Sequence, residues 1–344
     1  MVFTHNQKIN ILIYSLILIV GCESAETEKN RFFLKGNLSL ENNDYQQAVK
    51  FYNEAIKIDS GFADAYNNRG IAHFEMSQFA LAVEDYNKAI EFQSSFADAI
   101  YNRANAYYEL KDYERSKTDL DSLKLLYQDS AYVYFTSGLV SVGMQNYEEA
   151  VREFDLAISH DSTNVESYVN LATVRYYQGQ FDLALENLSK ARAVNADQPD
   201  IYNVAGLVYT EMGKLEKAQV NFERALALDA YNPYFINNRA YLYLKKDSLE
   251  AAKEDLKISL DMDPLNGWAY RNLGILAMKQ ANFEKAIGYL QHARDLDPTI
   301  LHLNTLLAQA LYETGKMEAA CELLSHAPRN EEYQAKQLYD KLCQ

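Results

Sequence analysis

The sequence predicts an all-α solenoid of nine helical hairpins, and three observations carry that prediction. The 344 residues align at a period of 34, with repeats starting at 29, 63, 97, 131, 165, 199, 233, 267 and 301 and no insertion or deletion between them. The eighth position of each repeat is Gly or Ala, and the twentieth is Ala in every repeat except for Ser116. Only 13 Gly and 5 Pro occur against 48% hydrophobic residues, which disfavours a turn-rich β fold. One such unit cannot bury its own apolar face, so stability comes from stacking neighbours.

The N-terminal segment reads as an address. Residues 1–10 are polar, and residues 11–20 are the apolar run ILIYSLILIV. Ten residues are too few to span a bilayer, which takes ~20, but they fit the apolar core of a secretory signal peptide. The run ends in Ile19-Val20-Gly21-Cys22, which resembles the lipobox of bacterial lipoproteins. That resemblance implies cleavage between Gly21 and Cys22 and acylation of Cys22, and two or more acyl chains would hold the chain stably at a membrane. Residues 1–21 are thus expected to be a signal peptide, and 22–28 the acylated cysteine with a short flexible tether. Glu23 stands where inner-membrane retention in enteric bacteria uses Asp, so the outer membrane is favoured, with its periplasmic or surface side left open.

From 29 to 334 the columns resemble the tetratricopeptide repeat, with an aromatic at position 4, small residues at 8 and 20, Tyr at 11, an aromatic at 24, Ala at 27 and Pro at 32. Repeat six carries Tyr202, Gly206, Tyr209, Ala218, Phe222 and Ala225, and repeat eight closes with Pro298. The resemblance implies a helix A, a turn and a helix B per repeat, wound into a right-handed superhelix of about one turn. Small residues at 8 and 20 bring the two helices close, and aromatics at 4, 11 and 24 fill the surrounding space. Tyr66, Tyr107, Tyr209, Tyr243 and Tyr270 are expected in the core. Asp44, Asp112, Asn146, Ser248 and Asn282 precede helix B as N-caps. Repeat three departs from the pattern with Ser116, Leu120 and Leu123, and Gly143 lies late in the next helix A. A bend or flexible seam is expected near 115–145. In repeat nine, Pro328 should stop helix B early. Asn330 then caps a final helix over about 331–343, whose C-terminal end falls in residues 335–344. Counting from a turn at 329, Cys321 and Cys343 are offset by about 9 Å along antiparallel helices, beyond the reach of a disulfide, so none is expected.

In the family, helix A lines the concave groove through positions 2, 5, 6, 9, 12 and 13. Position 6 is Asn68, Asn102, Asn170, Asn238 and Asn272 in five repeats. This resembles the asparagine ladder of O-linked glucosamine transferases, whose amides grip a peptide backbone; equally, Asn is simply common at that position. Tyr101, Tyr108, Tyr176, Tyr177, Tyr241 and Trp268 fall on the same stripe, either as a binding surface or as partial core. Glu41, Glu75, Glu109 and Glu211 make part of the groove acidic, whereas Lys245, Arg271 and Lys279 make repeats seven and eight more basic. Arg271 and Lys279 are candidates for holding a terminal carboxylate.

The net charge is −15 and no basic run exceeds Lys245-Lys246, which argues against nucleic acid as a partner. No C-x-x-C pair, H-E-x-x-H, Gly-rich phosphate loop or G-x-S-x-G elbow occurs, so neither metal, cofactor nor catalysis is expected. The sequence therefore points to a membrane-anchored scaffold or adaptor of the bacterial cell envelope that binds proteins or extended peptides. The alternatives are a pilotin-like assembly chaperone for one outer-membrane, pilus or secretion component, and an architectural homo-oligomer.

Overall fold

The computed structural model describes residues 24–326 and 332–343. Cys22 and Gly21, the apolar run before them and Asn330 lie outside these residues. The described residues form nineteen α-helices and no strand. The hairpins are α1 (Ala25–Glu41) with α2 (Tyr45–Ile58), α3 (Ala63–Glu75) with α4 (Phe79–Phe92), and α5 (Ala97–Glu109) with α6 (Tyr113–Leu126). They continue as α7 (Ala131–Gly143) with α8 (Tyr147–His160), α9 (Val165–Tyr177) with α10 (Phe181–Val194), and α11 (Pro199–Glu211) with α12 (Leu215–Leu228). The last are α13 (Pro233–Lys245) with α14 (Leu249–Met262), α15 (Gly267–Lys279) with α16 (Phe283–Leu296), and α17 (Leu303–Glu313) with α18 (Met317–Ser325), followed by α19 (Glu332–Leu342).

Each turn between helix A and helix B is closed by the same device. Position 15 is left-handed in all nine repeats, whether it is Gly179, Gly213 and Gly315 or Asn43, Ser77, Lys111, Gln145, Asp247 and Ala281. The next amide then reaches back to the carbonyl of position 11, as in Lys214 N to Tyr209 O at 2.9 Å and Asn282 N to Ala277 O at 2.9 Å. This satisfies carbonyls that the helix end leaves open. Asp44, Asp112, Asn146 and Asn282 cap helix B with their side chains as expected, whereas Ser248 occupies the cap position without a side-chain bond.

Helices A and B meet where position 8 faces position 24. Gly36, Gly70, Gly138 and Gly206 lie against Tyr52, Tyr86, Phe154 and Phe222, and a Cβ on Gly206 would meet Phe222 Cε1 at 2.6 Å. Where position 8 is Ala, as at Ala104, Ala172, Ala240 and Ala308, position 24 is Leu120, Leu188, Leu256 and Leu324. Leu120 is therefore no defect of repeat three: it fits the larger Ala104, and both are fully buried. Ser116 is accommodated too, donating from Oγ to the Ala104 carbonyl at 2.8 Å.

By packing, the chain divides into two compact units, one up to Gln128 and one from Asp129. The division falls inside the 115–145 interval where the sequence places a seam.

Four expectations are corrected. Residues 25–28 belong to the first turn of α1, not to a tether, because Ser24 caps Thr27 N at 3.1 Å and Glu26 and Glu28 favour the helix start. Of the tyrosines placed in the core, only Tyr107 is buried; Tyr66, Tyr209, Tyr243 and Tyr270 are half-buried, the last three packing against the edges of core clusters. Helix A of repeat nine begins at Leu303 rather than 301, after a turn in which His302 takes φ 60°. Finally, Cys321 and Cys343 form a disulfide with Cα atoms 5.7 Å apart. Counting residues from a tight turn at 329 failed because α18 ends at Ser325, well before that point, and Cys343 lies just beyond the end of α19. Ala335, Leu338 and Tyr339 of α19 cover Ala308, Ala320 and Leu324, so the last hairpin is capped.

Candidate functional site

The asparagines at position 6 make most of their contacts with other repeats. Asn102 Nδ2 donates to Asn67 Oδ1 at 3.1 Å, Asn238 to Asn203 at 2.9 Å and Asn272 to Asn237 at 2.9 Å. In each case the acceptor is at position 5 of the preceding repeat. Asn237 Nδ2 donates in turn to Asn238 Oδ1 at 3.2 Å, and Arg271 Nη1 to Asn272 Oδ1 at 2.9 Å. A chain of donors thus runs from Arg271 through Asn272, Asn237 and Asn238 to Asn203. Asn68 bonds Asn37 at 3.0 Å instead. Asn170 follows Phe135, which offers no acceptor, and turns back to the Glu166 carbonyl at 2.9 Å. The ladder is thus first a link between repeats, and each bonded carboxamide nitrogen keeps only its second hydrogen for a ligand.

The unit from residue 129 contains a cavity of about 430 Å³ on the A-helix side of repeats five to eight, bordered also by Leu301 and His302 of repeat nine. This lies within the size range of ligand sites, about 300–1,000 Å³. Nine residues predicted for the groove line it: Asn170, Tyr176, Tyr177, Glu211, Asn238, Tyr241, Trp268, Arg271 and Asn272. Burial pushes the Tyr176 hydroxyl well above its usual range and Tyr177 up to about 12, so both stay neutral donors. Lys279 lines a second cavity of about 420 Å³ and pairs with Asp247. Asn68, Asn102, Tyr101 and Tyr108 belong to the other unit; there Tyr108 is half-buried against Tyr113, with ring centroids 5.8 Å apart.

Sequence reasoning missed Asn203 and Asn237 at position 5, Asp200 at position 2 and His302. Asparagine at position 5 in repeats two, six and seven was the available signal, because each ladder step needs Asn at 5 followed by Asn at 6 one repeat later. Also missed were the intra-repeat clamps Arg69–Asp85, Arg103–Asp119 and Arg239–Asp255, each spaced by 16 residues; the last has both bonds at 2.8 Å. They lock helix A to helix B at positions 7 and 23.

Charge at the cavity is uneven. Arg271 is 5% exposed, donates from Nε to the Leu301 carbonyl at 2.9 Å, and lies 5.3 Å from the Tyr241 ring and 5.6 Å from that of Trp268. Among the described residues it has no carboxylate partner. Glu211, the nearby acid, accepts from the Tyr241 hydroxyl at 2.6 Å and from Lys245 at 3.5 Å. Burial, reinforced by Arg271, pushes the His302 imidazole down to about 4, so it is neutral near pH 7. At the opposite end, burial together with Asp229 and Glu166 raises the Asp200 carboxyl.

Comparison with known proteins now fixes the repeat family. Matches to the tetratricopeptide repeat fall at residues 36–77, 63–96, 98–130, 163–230, 237–300 and 277–339. The chain is built from tetratricopeptide repeats. It is similar to the photosystem I assembly protein Ycf3 of Prochlorococcus marinus strain MIT 9303, with 29% identity over 82 residues, 23% of this chain and 47% of that protein. The strain MIT 9301 protein is 27% identical over 85 residues, 24% and 49%. The chain thus spans about half the length of the curated relatives it matches. Among solved structures, the APC/C hetero-tetramer Cut9–Hcn1 aligns with a TM-score of 0.57 at 14% identity, covering 93% of this chain and 77% of that one. The human IFIT1 dimer with m7Gppp-AAAA aligns with a TM-score of 0.56 at 20% identity, covering 79% and 70%. These two likenesses are of fold alone. A tetratricopeptide-repeat scaffold of this kind is suited to protein–protein interaction.

Proposed function

We propose that this chain is a lipid-anchored, non-catalytic adaptor of the bacterial cell envelope that holds an extended peptide segment of a partner protein in the groove of repeats five to eight. The observation that carries the reading is the cavity, whose lining brings together aromatic walls, spare amide hydrogens and a cation that has no acid partner among the described residues. Anchoring rests on the Gly21-Cys22 signature. The Cys321–Cys343 disulfide supports an exported chain, since such bonds persist in oxidising compartments.

Dedication to one client is the second reading. A cavity with defined charges favours a narrow partner range over broad backbone gripping, and the similarity to an assembly protein points the same way.

The test is co-purification from detergent-solubilised membranes with wild type and with Thr173→Trp, which fills the cavity without cutting the ladder. A partner recovered with wild type and lost with Thr173→Trp, at unchanged helical circular dichroism, supports the reading. Equal recovery moves binding elsewhere. Cys22→Ser should shift the protein from the membrane to the soluble fraction, and retention at the membrane would refute the anchor.

A further inference from the structure

The first and last helices of the repeat array are finished differently. At the C-terminal end α19 lays Ala335, Leu338 and Tyr339 over Ala308, Ala320 and Leu324. At the N-terminal end, among the described residues, no helix precedes α1. In repeats two to nine, positions 3 and 10 of helix A are buried. Helix B of the preceding repeat packs on them: Ala65 and Ala72 share a core cluster with Ala55 of α2, and Ala269 and Leu276 share one with Leu256 of α14. In repeat one these positions are Arg31 and Leu38, and Leu38 is 60% exposed. Leu34, one turn earlier, is 64% exposed and stands in the column that is asparagine in five other repeats. Arg31, Leu34, Lys35 and Leu38 are spaced i, i+3, i+4 and i+7, so they share one face of α1, and all four are exposed. Glu28 pairs with Arg31 at 3.5 Å, and Glu41 follows at the helix end. A chain of net charge −15 thus presents a face of two leucines and two cations on its first helix.

What covers this face follows from where α1 begins. Ser24 is already its N-cap, so Glu23 alone separates Cys22 from the cap residue. Three residue steps from Cys22 to Ala25 reach at most about 11 Å. On the anchor reading above, on which this inference rests, α1 starts at the lipid headgroups with no tether to lift it away. Leu34 and Leu38 lie about 14 Å and about 20 Å further along its axis. They meet lipid only if α1 lies along the surface. Arg31 and Lys35 then reach lipid phosphates while the leucines enter the acyl boundary, as in an interfacial helix. A second copy of the chain fits less well. The open side of the 17-residue helix is about 25 Å long and 10–12 Å wide, on the order of 300 Å², whereas a stable dimer uses about 800 Å² per partner. We infer that α1 is an interfacial helix that lays the open end of the repeat array on the lipid surface through Leu34 and Leu38, with Arg31 and Lys35 on the headgroup phosphates.

The test places the full chain, purified from membranes, in vesicles of phosphatidylethanolamine and phosphatidylglycerol that contain a lipid spin-labelled near the top of its acyl chain. A thiol-reactive fluorophore is attached at Leu38→Cys or, as a control, at Thr118→Cys, an exposed position of repeat three. The chain without either substitution should take no fluorophore, because Cys22 is acylated and Cys321 and Cys343 are bonded to each other. The spin-labelled lipid should quench the fluorophore at 38 about twofold or more and leave that at 118 unchanged. Leu34→Glu, or Leu34→Ser if the first variant does not fold, should at least halve the quenching at 38. Vesicle-bound chain with no quenching at 38, or with equal quenching at 38 and 118, overturns the interfacial helix while the anchor stands. Energy transfer between differently labelled copies at 38, without quenching by lipid, overturns it in favour of a second copy. Quenching at 38 that both Leu34 variants leave intact overturns the role of the leucine face. Fluorophore uptake at Cys22 of the unsubstituted chain, or failure of that chain to float with vesicles, overturns the anchor reading and this inference together.

Discussion

Repeats six and seven build the same hairpin from different residues. In repeat six, Gly206 admits the Phe222 ring against the backbone of α11, and the turn is made by Gly213. In repeat seven, Ala240 faces Leu256, Arg239 clamps Asp255, and the turn residue is Asp247. Position 7 of repeat six is Ala205 and position 23 is Asn221, so no clamp forms there. The lesson is that the repeat conserves a shared volume and a shared turn conformation, and the residues supplying them trade off. An aromatic ring with a glycine fills the volume that a leucine with an alanine fills, and the clamp is independent of that choice, since repeat two has Gly70 against Tyr86 and Arg69 paired with Asp85.

The largest test of that comparison removes the clamp. Asp255→Ala leaves the Arg239 guanidinium half-buried and unpaired, and should cost about 3 kcal/mol in urea denaturation; Asn221→Ala at the same position of repeat six should be near neutral. Next is Gly206→Ala, whose new methyl must displace Phe222, at a cost of about 2 kcal/mol. Combining it with Phe222→Leu recreates the repeat-seven pair and should cost less than the sum of the single changes. Strict additivity would break the comparison. Gly213→Ala has open space around its Cβ, so its cost of about 1 kcal/mol is purely conformational; Asp247→Gly should instead be neutral or slightly stabilising.

The smallest expected effect is electrostatic and confined to the cavity side of repeat six. The Asp200 carboxyl is raised by burial and by neighbouring acids, so its ionised form is less favourable in the folded chain than in the unfolded one. Its penalty is absent below the unfolded carboxyl range and grows as pH rises through the folded value. Asp200→Asn should therefore raise the melting temperature slightly at pH 7, with the gain vanishing towards pH 3. A gain that persists at low pH would assign the effect to packing.

Much of the fold was legible because the 34-residue period repeats one packing solution nine times, so each column is confirmed by its neighbours. The capping helix was readable from Pro328, from Asn330 as its cap and from the resemblance to repeat arrays that end in such a helix. The disulfide was not, since residue counting assumed that helix B runs on to a turn at 329, whereas α18 ends at Ser325. The candidate site was half legible. Helical spacing places Asn238, Tyr241 and Asn272 on one face, but whether an amide there is free or spent depends on the residue one repeat earlier. Asn170 and Asn272 occupy the same column and behave differently because Phe135 precedes one and Asn237 the other.

By itself the sequence determined the helical repeat, its turn positions, the close approach of helices A and B and the face that would line a groove. Each of these is set by local spacing or by residue volume within one hairpin. Only the tertiary structure decided which charges were already matched. Ion pairing depends on atoms from different repeats meeting at hydrogen-bond distance. That is why Lys245 and Lys279 proved to be paired within the protein while Arg271, read from the same basic cluster, kept donors to spare.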